Sequence, residues 1–336
     1  MFFSHSQSLE PTLITMNEST GVTPYASGMD WSDIFSLNVP YTVAEMVIAV
    51  TATLGNLLVC MAVMHDKKLR TVTNYFLTSL SVADVGVGAI AIPCAILTSI
   101  GYPHNNLELC VLMLSILIML IICSTLCLLS IAVDRYVAIL NPLRYRSIMT
   151  PRNALICIIM AWLLAVLSGL LPLMGWHKTP QSPYCLFTQV IDMTYIFYFF
   201  TFTFFILPLV SMLLIYARIF SVARKHINLT DAGATPENAD SRQETGIKRE
   251  IKTATSLFTV IFLFVLCWAP LHVVNGLILL CSQCSIPQVI VDTGIILSHA
   301  NSALNPILYA YKLKSFRDKL KAIMCCRDNT VTPAVQ

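Results

Sequence analysis

Asp84, His272, Asn275, His299, Asn301 and Asn305 stand inside long apolar stretches of the chain. An unpaired polar group in such a setting costs several kcal/mol, so each needs a partner, water or a ligand. A lone carboxylate at Asp84 calls for a cation, a proton or several hydrogen bonds. Ser124, Asn301 and Asn305 can converge on it, and the last two, four residues apart, share one helix face. An oxygen-lined cavity with one negative charge suits a monovalent cation, and sodium is the expected occupant.

A second group is spaced for ligand recognition. Trp268, His272 and Asn275 follow one another by four and three residues, so they form one stripe rising about 10 Å at roughly 1.5 Å per residue. That is the depth of a small-molecule pocket. Leu271, Ile295 and Phe187 supply apolar or stacking surface, and Ser298 and His299 add polar groups. Glu45, three helical turns outward of Asn56, is within reach of His299. For a single polar residue at helical spacing, such as Ser115 or Thr203, helix-to-helix bonding is the better reading. For a converging set, a ligand site is.

A third group is built for switching. Asp134-Arg135-Tyr136 closes one apolar stretch and Glu250 opens another. An arginine held by its neighbouring carboxylate and by Glu250, then released when helices shift, is a two-state element; a surface ion pair of little energy is the alternative. Pro270, beside Trp268, and Pro306, in Asn305-Pro306-Ile307-Leu308-Tyr309, must kink their helices and make natural hinges, or else fixed bends.

The elements that carry these residues follow from composition. The 336 residues are 56% hydrophobic and 12% charged, about half the charge of a soluble domain. Seven stretches can each cross a hydrocarbon core that needs roughly 20 apolar residues. They cover Tyr41–His65, Asn74–Ile100, Leu107–Leu140, Asn153–Met174, Ile191–Val222, Lys248–Leu280 and Pro287–Tyr311. The expected fold is all-α: a seven-transmembrane helix bundle with a short membrane-parallel eighth helix. Residues 1–40 form a tail, 41–311 the bundle, and 312–336 the amphipathic helix and terminal tail.

Basic residues are retained in the cytosol. With His65 to Arg70 placed inside, only Lys178 of the 21 Lys and Arg falls outside, which puts the N-terminus outside the plasma membrane. The N-terminal segment shows no signal-peptide pattern. Asn17-Glu18-Ser19 is then an extracellular glycosylation acceptor. Among twelve cysteines, Cys110 can pair with Cys185 and Cys281 with Cys284 in an oxidising compartment. Cys325-Cys326, after a basic amphipathic stretch from Lys314 to Lys321, reads as a palmitoylation site.

Taken together the motifs resemble the rhodopsin-like G-protein-coupled receptors. Gly55-Asn56, Leu80-Ser81-Val82-Ala83-Asp84, Asp134-Arg135-Tyr136, Trp162, Pro208, Cys267-Trp268-Ala269-Pro270 and Asn305-Pro306-Ile307-Leu308-Tyr309 match that family's signatures in order, one per span. Within it, the chain resembles an adenosine receptor through Cys267 to Asn275, Ile296 to Ser302, Cys185-Leu186-Phe187, Cys281, Cys284 and Glu45. The resemblance implies that Asn275 hydrogen-bonds an adenine, Phe187 stacks on it, and Ser298 and His299 meet the ribose. It also implies coupling to a heterotrimeric G protein, with the short tail and the Thr150-Pro151-Arg152 loop nearer the inhibitory, cAMP-lowering subtypes.

Departures from the family are Ile121-Ile122 in place of a usual Thr-Gln, Phe200 in place of a small polar residue, and Thr188 in place of a glutamate. They remove ribose contacts and leave room for another small ligand, or for a receptor that signals without one. Leu117, where amine receptors carry aspartate, argues against an amine. The absence of a lysine before Lys312 in the last span argues against a retinal Schiff base. A transporter using Asp84 and Glu45 as relays would predict inverted symmetry, which the sequence lacks. No nucleophile–base pair, metal-ligand spacing or phosphate loop supports an enzyme.

Overall fold

Inside hydrocarbon a backbone satisfies its N–H and C=O groups only by bonding within itself, so each apolar stretch is compelled to be helical. The computed structural model describes residues 38–180, 182–231, 241–281, 283–312 and 316–320, with backbone alone for 68, 223, 225–231 and 241–257. Its seven long helices are Val39–His65, Val72–Ser99, Leu107–Leu140, Pro151–Gly169, Tyr195–Ile206 continuing as Leu207–Asp231, Ser241–Leu280 and Gln288–Lys312. Short polar residues start four of them: Asn38, Thr71, Asn106 and Thr150 each accept a bond from the backbone N–H three residues on.

Six of these helices are long and apolar enough to cross a membrane on composition alone. The seventh, Gln288–Lys312, is less apolar because Ser298, His299, Asn301, Ser302 and Asn305 all lie on it, and all five are buried in the bundle. Which helix forms the axis is decided by enclosure. Of the most apolar window in Leu107–Leu140, 61% is buried, against 22% in Pro151–Gly169. The third helix is therefore the central post and the fourth a lipid-facing flank, with Leu155, Met160, Leu163 and Leu167 directed outward.

Several expected limits move for local reasons. The fourth helix stops at Gly169 rather than Met174, because the chain turns ahead of Pro172 and Gly175. The fifth starts at Tyr195 rather than Ile191, because Ile191 is engaged in a bridge with His177. The second and fifth also carry wide π turns, over Val87–Ala91 and Tyr195–Ile206, each ending just before a proline, Pro93 or Pro208. A proline lacks an N–H and crowds the preceding turn, and a wider turn relieves both problems. Of the expected eighth helix, residues 316–320 are helical, with Phe316 and Leu320 buried and the Phe316 ring 6.1 Å from that of Tyr309. Asn17, Cys325 and Cys326 lie outside the described residues, as does the side chain of Glu250.

Helices approach most closely where a side chain is missing. A Cβ on Gly169 would stand 2.5 Å from the Met119 backbone. Gly169→Ala is expected to separate the third and fourth helices and lower stability by roughly 1–3 kcal/mol. Thermal unfolding of the detergent-solubilised protein checks this, and an unchanged midpoint contradicts the packing.

Candidate functional site

Asp84 sits at 0% exposure in the middle of the bundle. Its Oδ1 accepts bonds from Ser124 at 2.9 Å and Ser302 at 2.8 Å, and its Oδ2 accepts one from the Asn305 amide at 2.7 Å. The carboxylate thus ties the second, third and seventh helices at one point. Asn301, expected among these partners, is buried but does not bond Asp84, and its neighbour Ser302 takes that place. One residue is a rotation of about 100° around a helix, and spacing alone does not set the zero of that rotation. No Lys or Arg side chain is bonded to Asp84 among the described residues. Asn56 Oδ1 and Ser81 Oγ are likewise fully enclosed without partners.

Toward the disulfide end of the bundle the polar stripe on the sixth helix is in place. Trp268, His272 and Asn275 are all buried. The His272 ring lies 4.1 Å from Phe205 and 6.0 Å from Trp268, and its Nδ1 is 2.9 Å from the Thr201 hydroxyl. Asn275, one turn further out, bonds to no other side chain or backbone group among the described residues. Its amide, with two donors and an acceptor, is therefore unmatched within the protein. Leu271 meets Gly294 of the seventh helix, where an added Cβ would touch the Leu271 backbone at 3.4 Å. Ile295 is half-buried on the seventh helix, and its carbonyl accepts from Ser298 at 2.7 Å.

His299 Nδ1 is 2.8 Å from Glu45 Oε2, and the two groups are almost fully enclosed. Glu45, expected within reach of His299, is at 0% exposure and bonds that ring. The cover over this region is built by the Cys110–Cys185 bond, which anchors the loop to the third helix. Two residues later, half-buried Phe187 begins a short helix, Phe187–Val190. Cys281–Cys284 closes the turn after the sixth helix. Ile121, Ile122 and Phe200 are buried apolar groups in the bundle core, while Thr188 is exposed. Ser115, read as helix glue, is buried with no partner for its hydroxyl.

At the other end of the bundle, Arg135 and Asp134 form an enclosed pair at 2.7 Å rather than a surface one. Thr73 donates to Asp134 Oδ2 at 2.7 Å and also receives the Arg135 guanidinium. Tyr145, from the short helix Pro142–Ile148, donates to Asp134 Oδ1 at 2.9 Å. Burial, and then the Asp134 charge, push the Tyr145 phenol up to about 12, so it stays a donor throughout the physiological range. Neither Thr73 nor Tyr145 was legible as a partner, because each comes from an element joined to Arg135 only by the tertiary fold. Tyr136 is half-buried next to the pair. Along the seventh helix Pro306 packs on Gly55, where an added Cβ would stand 2.7 Å from the proline ring. Tyr309 is enclosed with its hydroxyl unpartnered, as is Trp268 Nε1.

Comparison with known proteins gives one consistent result. Residues 55–309 match the model of the 7 transmembrane receptor (rhodopsin family). The chain is 38% identical over 302 residues to "Adenosine receptor A2a" of Canis lupus familiaris, covering 84% of this chain and 72% of that one. It is 38% identical over 306 residues to "Adenosine receptor A3" of the same organism, covering 87% and 94%. It is 40% identical over 304 residues to "Adenosine receptor A2b" of Gallus gallus, covering 84% and 87%.

Removing one member of an enclosed hydrogen-bonded pair leaves the other without its partner. His299→Ala is expected to cost about 1–3 kcal/mol by leaving Glu45 buried without that bond, and adding Glu45→Gln should restore part of the loss. Thermal unfolding of the single and double variants reads both effects. Equal midpoints for His299→Ala and wild type would rule out the pair as a structural contact.

Proposed function

Since the chain belongs to the rhodopsin family of seven-transmembrane receptors, and within it is adenosine-receptor-like, we propose that it recognises adenosine or a close nucleoside through Asn275, His272, Ser298 and His299. It is a multi-pass membrane receptor and not an enzyme. The observation that carries the ligand reading is the buried Asn275 side chain, whose amide no group among the described residues satisfies. An amide offers a donor and an acceptor side by side, matching an adenine edge, while Phe187 on its tethered loop can cover the ring face. Leu271 and Ile295 supply apolar wall on either side of the seam between the sixth and seventh helices.

With the N-terminus outside the cell, Asn275 and His272 lie toward the exterior and the Arg135 cluster faces the cytosol. Agonist binding then favours an arrangement around Trp268 and Pro270 that shifts the sixth helix. The same shift frees Arg135 from Asp134 for a helix of a heterotrimeric G protein, with Asn305, Pro306 and Tyr309 as the accompanying hinge. The coupling energy on which such a shift depends is about 1–3 kcal/mol. The G protein we favour is of the inhibitory, cAMP-lowering class. Ile121, Ile122 and Phe200 narrow the polar choice in the chamber, so adenosine should bind with fewer ribose contacts than in receptors that carry polar groups there.

The chemistry around Asp84 also fits a sodium ion: a lone carboxylate, two hydroxyl oxygens from Ser124 and Ser302, and unmatched oxygens on Asn56 and Ser81. A bound sodium would supply the missing positive charge and favour the inactive arrangement, with Asp84, Ser124 and Ser302 as its holders.

A cAMP assay in transfected cells with adenosine, inosine and a nucleoside panel tests the ligand class. A response to adenosine that disappears in Asn275→Ala, with surface expression intact, is the expected result; unchanged potency in that variant removes adenine recognition. Asp84→Asn should abolish any effect of sodium on agonist affinity. A sodium effect that persists in that variant would place the ion elsewhere.

A further inference from the structure

Hydrogen-bond capacity around Thr201 fixes more than its position. Thr201 Oγ1 lies 2.9 Å from the Ile196 carbonyl oxygen and 2.9 Å from His272 Nδ1. A carbonyl can only accept, so the single hydroxyl proton of Thr201 is directed at Ile196. Toward His272 the threonine oxygen therefore offers only a lone pair, and Nδ1 must be the donor. No carboxylate is bonded to His272 among the described residues, and its closest ring neighbours are Phe205, Phe200 and Trp268. A lone cation in that apolar setting is costly, so the ring is neutral. A neutral imidazole with its proton on Nδ1 carries a bare acceptor at Nε2, and Nε2 has no partner among the described residues.

We infer that Thr201 is a positioning residue that locks His272 as the Nδ1–H tautomer, so that the ring selects ligands presenting a hydrogen-bond donor, a hydroxyl of the nucleoside, at this depth of the chamber. The selection of a hydroxyl rests on the nucleoside reading; the tautomer does not. The wide turn of Tyr195–Ile206 is what makes the lock available. It brings the Thr201 hydroxyl to the carbonyl five residues back and, at the same time, to the sixth helix. Phe200, the apolar residue beside it, packs on the same ring at 5.8 Å and leaves the threonine as the polar contact from the fifth helix.

The test uses the full-length receptor with histidine labelled in the heavy nitrogen isotope, the His272 signals being assigned by their loss in His272→Gln. Wild type and Thr201→Ser should show a protonated Nδ1 and an unprotonated Nε2. Thr201→Val, similar in shape but without the hydroxyl, should revert to the Nε2–H form that a free histidine side chain prefers. A wild-type ring with Nε2 protonated, or one unaltered by Thr201→Val, overturns the lock. For selection, adenosine is compared with its three mono-O-methyl ethers, which keep each oxygen but remove its proton. One ether should lose about tenfold in potency on wild type and on Thr201→Ser, and clearly less on Thr201→Val. Equal losses on all three receptors overturn the donor requirement. A wild type that ignores adenosine altogether overturns the nucleoside reading, while the nitrogen spectra still decide the lock.

Discussion

A carboxylate halfway through a lipid-spanning bundle has to be met by donors from whatever surrounds it, and at Asp84 those donors come from two other helices. Ser124 brings the third helix to it, while Ser302 and Asn305 bring the seventh. Because each bond replaces water that hydrocarbon cannot provide, the three helices are held in one relative rotation at this level. That rotation carries to both ends of the bundle. Along the seventh helix it aims His299 at Glu45 and packs Pro306 onto Gly55; along the third it delivers Cys110 to its disulfide and Arg135 to the Thr73 and Tyr145 cluster.

The two ends differ in how their polar groups are satisfied. At the Arg135 end, Asp134 has three neighbours and the charges are closely matched inside the protein, a tight arrangement that has to be broken for the guanidinium to move. At the disulfide end the match is incomplete. Asn275 and one nitrogen of His272 have no partner among the described residues, and the His272 ring lies among the rings of Phe200, Phe205 and Trp268. An incomplete polar set within a chamber is what a ligand completes, whereas a complete one is what a conformational change disrupts. The helices that the Asp84 cluster holds in register run between these two ends.

Pro270 and Pro306 stand inside the sixth and seventh helices near Trp268 and Tyr309, whose side-chain polar atoms are enclosed and have no partner among the described residues. Pro93 and Pro208 are handled differently, by wide turns on their N-terminal side. The wide turn in the fifth helix holds Thr201, alongside Phe200 and Phe205, against His272.

The sequence by itself determined the helical class, the seven apolar segments, the pairing of cysteines at the disulfide end and most of the polar residues that matter. Hydrocarbon allows few backbone solutions and makes every buried polar group conspicuous, so these features can be read without coordinates. Spacing also showed that Trp268, His272 and Asn275 share a face. The tertiary structure alone decided which faces meet. It chose Ser302 over Asn301 for Asp84, and recruited Thr73, Tyr145 and Thr201 from elements distant in the chain. Periodicity fixes angles within one helix. The rotation of that helix against its neighbours, and the extra residue in a wide turn, are set by packing around closely approached glycines and prolines, which no single segment encodes.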